Sequence, residues 1–192
     1  MARLIALSAA LFAAMTVAAQ AHVRVGAVHW FANGLAHPLS GLDHVLAMVA
    51  VGMFAAHLGG RALWLVPASF IAMMMLGGAL GVAGMPMPLV EIAIALSVVA
   101  LGFIVAFRLD MATWTAMAVV GFFALFHGHS HGTEMPQTVS GLEYGAGFVL
   151  ATAVLHVSGI ALGFAVQRHR RALQVLDGVM ALAGVAMLGG YV

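Results

Sequence analysis

His37-Pro38-Leu39-Ser40-Gly41-Leu42-Asp43-His44 brings two imidazoles and a carboxylate together just ahead of a long apolar run. A second polar stretch, His127-Gly128-His129-Ser130-His131-Gly132-Thr133-Glu134, closes another apolar run. The chain has no cysteine, so thiolate metal sites and thiol nucleophiles are excluded. Imidazole nitrogen with carboxylate oxygen suits Ni2+, Co2+, Zn2+ or Cu2+ better than Cu+, Mg2+ or Ca2+. Ionisable groups entering hydrocarbon are costly unless paired, bound or hydrated, so by default they mark a functional site. Two such clusters in a chain with so little charge point to a divalent cation as cargo.

Residues four and seven apart share a helix face. His127, His131 and Glu134 therefore align if their helix persists, with His129 pointing elsewhere. Gly128 and Gly132 can instead break that helix and leave a loop that wraps a ligand. In the first cluster His37, Gly41, His44 and Met48 fall on one stripe, and Asp43 lies one step round. There it can ligate, or orient an imidazole from behind. The negative end of the later helix favours a cation near His127.

Plainer readings exist for several of these residues. Ser40-x-x-Asp43 and Ser140-x-x-Glu143 are capping-box patterns, and Pro38 suits a first helical turn. The His-rich stretch can be a solvated loop. His156 shares its stripe with Thr152, Gly145, Gly159 and Gly163, where small residues mean close helix packing. It is either a hydrogen-bonded structural histidine or a pathway residue. Glu91 and Asp177 lie near helix ends and join His156 as candidates for proton coupling. His22 and His29 are candidates for outer metal capture. His57 and His169 read as cytoplasmic-interface residues. The methionines at 73–75, 85 and 87 read as packing or lipid contact, with a soft-ligand relay as the alternative.

The elements that position these groups follow from composition. Of 192 residues, 64% are hydrophobic and 7% charged, against about 25% charged in soluble domains. An integral membrane protein follows, with the lipid bilayer as its surroundings. The net charge is +1 and lysine is absent, which argues against nucleic acid. No Walker A pattern occurs, which argues against a nucleotide. Residues 1–21 read as a signal peptide cleaved after Ala19-Gln20-Ala21, and 22–41 as a periplasmic segment. Residues 42–192 then form the membrane domain. Its six apolar runs, at 42–60, 62–83, 89–107, 112–129, 141–166 and 172–191, each approach the roughly 20 residues a spanning helix needs. The expected fold is an all-α integral membrane protein with six transmembrane helices after the signal peptide. With His22 outside, Arg61, Arg108 and the Arg168/Arg170/Arg171 group fall inside, as the positive-inside rule requires. Both histidine clusters then lie on the extracytoplasmic side of the inner membrane, as do both ends of the mature chain.

The motif H-P-x-x-G-x-D-H followed by Met48, the His-Gly-His-x-His-Gly-x-Glu stretch and the leading signal sequence together resemble the HupE/UreJ family. That family comprises nickel or cobalt permeases linked to hydrogenase and urease maturation. The resemblance covers nearly the whole chain, and its first motif is specific. It implies His37, Asp43, His44, His127, His129, His131 and Glu134 as the functional residues. The H-x4-D-H signature of the larger nickel–cobalt transporter family is not met, because five residues separate His37 from Asp43. The resemblance implies a nickel or cobalt permease; the expected cargo is Ni2+, with Co2+ next, moved by a secondary permease with no organic cofactor. Two other readings use the same residues. One is an intramembrane zinc-dependent hydrolase drawing on Ser40, Ser130 or Glu134 for acid–base work; the other is a metal-binding sensor or scaffold without flux.

Overall fold

Backbone groups in an apolar setting must hydrogen-bond within their own segment, so apolar runs of this length fold as helices. The computed structural model describes residues 30–135 and 141–166, and every regular element among them is helical. The expected runs appear as α2 (Leu42–Leu58), α3 (Ala62–Val82), α4 (Val90–Ala106), α5 (Thr113–Glu134) and α6 (Gly141–Val166). Gly59 and Gly60, at φ +67° and +51°, supply the left-handed turn between α2 and α3. Ahead of these lie a short helix the sequence reading missed, α1 (Trp30–Ala36), and a 3-10 turn at His37–Leu39. Residues 1–21, read above as a signal peptide, together with His22, His29, Ser140, His169, Asp177, the arginines at 168, 170 and 171, and the expected sixth run at 172–191, lie outside the described residues.

By length and composition, α3 and α6 can each cross a membrane, while α2 qualifies only jointly with the segment before it, at an 80° bend. The shorter α4 is apolar throughout. α5 has 22 residues, but its last turns carry the histidines, which lower its hydropathy. Trp64 and Trp114 are 73% and 74% exposed. They occupy the first turns of two helices that begin at the same end of the bundle, where amphipathic rings settle at a membrane interface.

Glycine seams set the packing. A Cβ on Gly77 would overlap the Leu125 carbonyl oxygen, one on Gly128 that of Met74, and one on Gly132 that of Gly78. These contacts advance together along both chains, so α3 and α5 run parallel with their backbones touching. A second parallel pair, α2 and α6, is locked in the same way. A Cβ on Gly52 would strike the His156 carbonyl, and one on Gly159 that of Val49. α1 is seated on α6 through Gly34, against the Tyr144 carbonyl, and Gly147, against that of Phe31. Close backbone approach through small residues is how helices associate where lipid removes the usual hydrophobic drive. The core between the pairs is filled by Met48, Phe54, Phe70, Val98, Leu101 and Val120, all fully buried.

Candidate metal centre

The first cluster is not one helical stripe. The Ser40 hydroxyl donates to the His37 carbonyl oxygen at 2.6 Å and closes the 3-10 turn. The chain then bends, and α2 starts after Gly41 with no side-chain cap. Ser40 is thus committed to the turn, and the plainer capping-box reading of Ser40-x-x-Asp43 is not met. His37 reaches the site from a different direction than His44. Asp43 Oδ1 accepts the His44 backbone N–H at 2.9 Å and lies 2.8 Å from His44 Nδ1. A carboxylate at that distance holds the proton on Nδ1 and leaves Nε2 as the free donor atom, as in carboxylate–histidine–metal arrangements. Gly41 leaves room for this pair: a Cβ there would lie 2.7 Å from Asp43 Oδ1 and 2.8 Å from His44 Nδ1.

The second cluster stays on a continuous helix. Gly128 and Gly132 do not break α5; they are the residues that let it touch α3. His127, His131 and Glu134 consequently align as the spacing predicts. The His131 ring centroid is 4.2 Å from that of His44 and 4.7 Å from that of His37. The His127 ring lies 4.8 Å from that of His44, and Glu134 Oε2 lies 3.6 Å from His37 Nε2. Donor atoms of His37, His131 and Glu134 all fall within 4.8 Å of one another. An ion held at about 2.1 Å permits at most about 4.2 Å between two ligands. The trio must therefore draw in slightly, and Glu134, with a side chain 58% exposed, is free to do so.

Four buried nitrogens of this cluster have no hydrogen-bond partner among the described residues: His44 Nε2, His127 Nδ1, and both ring nitrogens of His131. Ser97 of α4 explains the state of His127. Its hydroxyl donates to the Ile94 carbonyl at 2.6 Å and sits 2.7 Å from His127 Nε2. With its own proton committed, Ser97 accepts from Nε2–H, which leaves the lone pair on buried Nδ1. An unsatisfied buried polar group costs about 1–3 kcal/mol, and an ion drawn among these nitrogens would relieve that cost. His37 lies between helices, and burial lowers its pKa from the ordinary value against an opposing pull from the Glu134 carboxylate. The shift is toward the neutral form a metal requires.

The remaining expected residues separate. His129 Nε2 lies 2.7 Å from the Met85 carbonyl oxygen, so this side chain ties α5 to the α3–α4 connection and turns away from the other histidines. Met48 is buried in the apolar core one turn beyond His44. Glu91 is exposed in the first turn of α4. His156 is buried deep in α6 against Phe70. At the opposite end, His57 Nε2 lies 3.0 Å from Asp110 Oδ1, in keeping with an interfacial position. The sequence reading missed Ser97, Tyr144 and Phe148. Ser97 left a signal, as the single hydroxyl in the apolar α4 run. The Tyr144 and Phe148 rings, 5.7 Å and 6.2 Å from that of His37, wall the cluster and left none.

Apolar helices around a histidine–carboxylate cluster place this chain among helical membrane proteins that handle metal ions. The chain belongs to the HupE/UreJ family, whose profile, described as HupE / UreJ protein, matches residues 9–187. It is 50% identical over 184 residues to Protein HupE of Rhizobium leguminosarum bv. viciae, covering 93% of this chain and 95% of that relative. No solved structure matches it. The family is one of metal transporters and accessory proteins, associated with nickel or cobalt uptake for hydrogenase and urease, and not of enzymes. The hydrolase reading is thereby set aside.

Proposed function

We propose that this chain carries Ni2+, with Co2+ next in preference, into the cell across the inner membrane through a bundle of six spanning helices. In this reading the signal peptide is removed, both mature termini are extracytoplasmic, and the cluster faces the periplasm. His37, His131 and Glu134 capture the ion, and His44 and His127 receive it, with Asp43 and Ser97 fixing their tautomers. His129 has a holding role on the Met85 carbonyl. The observation that carries the proposal is the gathering, at one end of the bundle, of the His37, His131 and Glu134 donor atoms within 4.8 Å of one another, with the His44 ring 4.2 Å from that of His131 and 4.8 Å from that of His127.

Energetics permit flux without a nucleotide. Charge crossing the membrane is worth about 2.3 kcal/mol per elementary charge per 100 mV, so a dication gains roughly 4.6 kcal/mol on entry. The test is radiolabelled Ni2+ and Co2+ uptake, challenged with unlabelled Zn2+, in cells lacking their own importers. Wild type and His44→Ala are compared at matched membrane expression. Uptake that requires His44 and resists Zn2+ supports the proposal. Wild-type cells that accumulate no more metal than empty cells refute it, and a sensor or scaffold that binds without flux becomes the better reading.

A further inference from the structure

His156 is 1% exposed and stands in the middle of α6, yet neither of its ring nitrogens has a hydrogen-bond partner among the described residues. A structural histidine at such depth uses at least one nitrogen for a hydrogen bond, because buried polar groups are almost always satisfied. Its backbone is fixed against α2, where Gly52 packs on the His156 carbonyl. The ring is thereby aimed at α3, where it meets Phe70 edge-on at 5.0 Å. The same Phe70 ring lies 6.1 Å from His127 on its way to the outer cluster.

Two further donor atoms complete the surroundings. Thr152 precedes His156 by one turn of α6, and Met74 follows Phe70 by one turn of α3, so each pair shares a face. The two faces meet, with Thr152 Oγ1 3.8 Å from Met74 Sδ. Thr152 donates to the Phe148 carbonyl at 3.0 Å, which leaves its oxygen lone pairs available. Phe70 and Met74 on one helix thus face His156 and Thr152 on the other in the buried core, which brings a nitrogen, an oxygen and a sulfur donor to neighbouring positions. Phe148 touches His131, at 4.4 Å between rings. His156 lies two turns further along α6, about 12 Å deeper at 1.5 Å per residue.

We infer that His156, Thr152 and Met74 form an inner metal site, a second station for the transported divalent ion, with the Phe70 ring dividing it from the outer cluster. This rests on the transport reading of that cluster. One imidazole with a hydroxyl and a thioether holds a first-row dication more weakly than the outer histidines and carboxylate do. Weak holding suits a station that an ion must leave, since conduction needs sites that are favourable to enter and easy to exit.

The experiment is a Co2+ titration of the purified full chain in lipid nanodiscs, followed by visible absorption and by bound metal per chain. Ni2+ uptake is measured on the same variants in proteoliposomes. The wild type is expected to bind two equivalents, the second about tenfold or more weaker. His156→Gln and His156→Phe should keep the first equivalent, which also reports an intact fold, and lose the second. Their uptake should drop about tenfold or more. Met74→Leu, a near-isosteric change, should weaken the second equivalent alone, which tests the site without emptying a buried position. A wild type that binds a single equivalent, a His156→Gln variant that keeps both, or one whose uptake matches wild type overturns the inference. Wild-type proteoliposomes that move no metal would defeat the transport reading instead, while the count of bound Co2+ would still decide the inner site.

Discussion

Replacing Asp43 with asparagine keeps the side chain's size and removes its charge. In the wild type Asp43 Oδ1 lies 2.8 Å from His44 Nδ1 and 2.9 Å from the His44 backbone nitrogen. The amide oxygen can take the place of Oδ1 and accept from both groups, but as a neutral acceptor it holds the Nδ1 proton less firmly. The imidazole proton then spends more of its time on Nε2, where it blocks the lone pair a metal needs. A hydrogen bond to a charged group contributes about 1.5–3 kcal/mol. The pair is partly exposed, with side chains 11% and 29% accessible, so screening favours the lower part of that range. Residues that orient a ligating histidine from behind affect metal affinity about 10- to 100-fold. Asp43→Asn is therefore expected to weaken Ni2+ binding at the outer cluster between about 10-fold and 100-fold, at roughly 1.4 kcal/mol per tenfold change. The assay is calorimetric Ni2+ titration of the purified chain, with its thermal midpoint as the fold control. An Asp43→Asn affinity within twofold of wild type, at unchanged midpoint, would refute the orienting role.

Further consequences follow from the same geometry. Ser97→Ala frees His127 to adopt either tautomer, and metal affinity should fall about 3- to 10-fold, a loss of one hydrogen bond near 1 kcal/mol; an unchanged titration would contradict the tautomer assignment. Gly128→Ala drives a methyl into the Met74 carbonyl, and overpacking of this kind costs about 1–3 kcal/mol. Its midpoint should drop measurably, whereas Gly145→Ala, with open space around the added atom, should not; equal midpoints would show that the α3–α5 seam is not tight. Burial lowers the pKa of His37, so its neutral form persists below the ordinary histidine value near 6.5. Metal uptake should hold steady above that value and fall as the pH drops through the lowered one, when protons displace the ion. Uptake that stays flat or rises on acidification would remove imidazole-limited capture.

The helices were readable because each is a continuous apolar run bounded by glycine, proline or arginine, and the expected limits of α2, α3, α4 and α6 agree with the structure to within two residues. α5 was drawn too short, ending at 129 instead of Glu134. Gly128 and Gly132 look like breakers in one dimension, and only the facing carbonyls of Met74 and Gly78 show them to be contact residues. The grouping of His127, His131 and Glu134 followed from helical spacing. The stripe drawn through His37 and His44 did not survive, because the bend at Ser40–Gly41 depends on where α1 docks against α6. No single-chain periodicity carries that information. Tyr144 and Phe148 were invisible for the same reason, and the lone hydroxyl of Ser97 could be seen but not paired with His127: their relevance lies in which helix faces which.

Among the described helices, the parallel pairing of α3 with α5, and of α2 with α6, makes two blocks, each held together by backbone-to-backbone contact. The outer cluster and the inner site both straddle the joint between them. His44 belongs to one block and His127, His131 and Glu134 to the other; Thr152 and His156 belong to one, Phe70 and Met74 to the other. Sliding within a block would drive glycine against carbonyl, whereas rocking one block on the other changes all of these cross-joint distances together. An ion that tightens either set of ligands is thereby coupled to the angle at which the two halves meet.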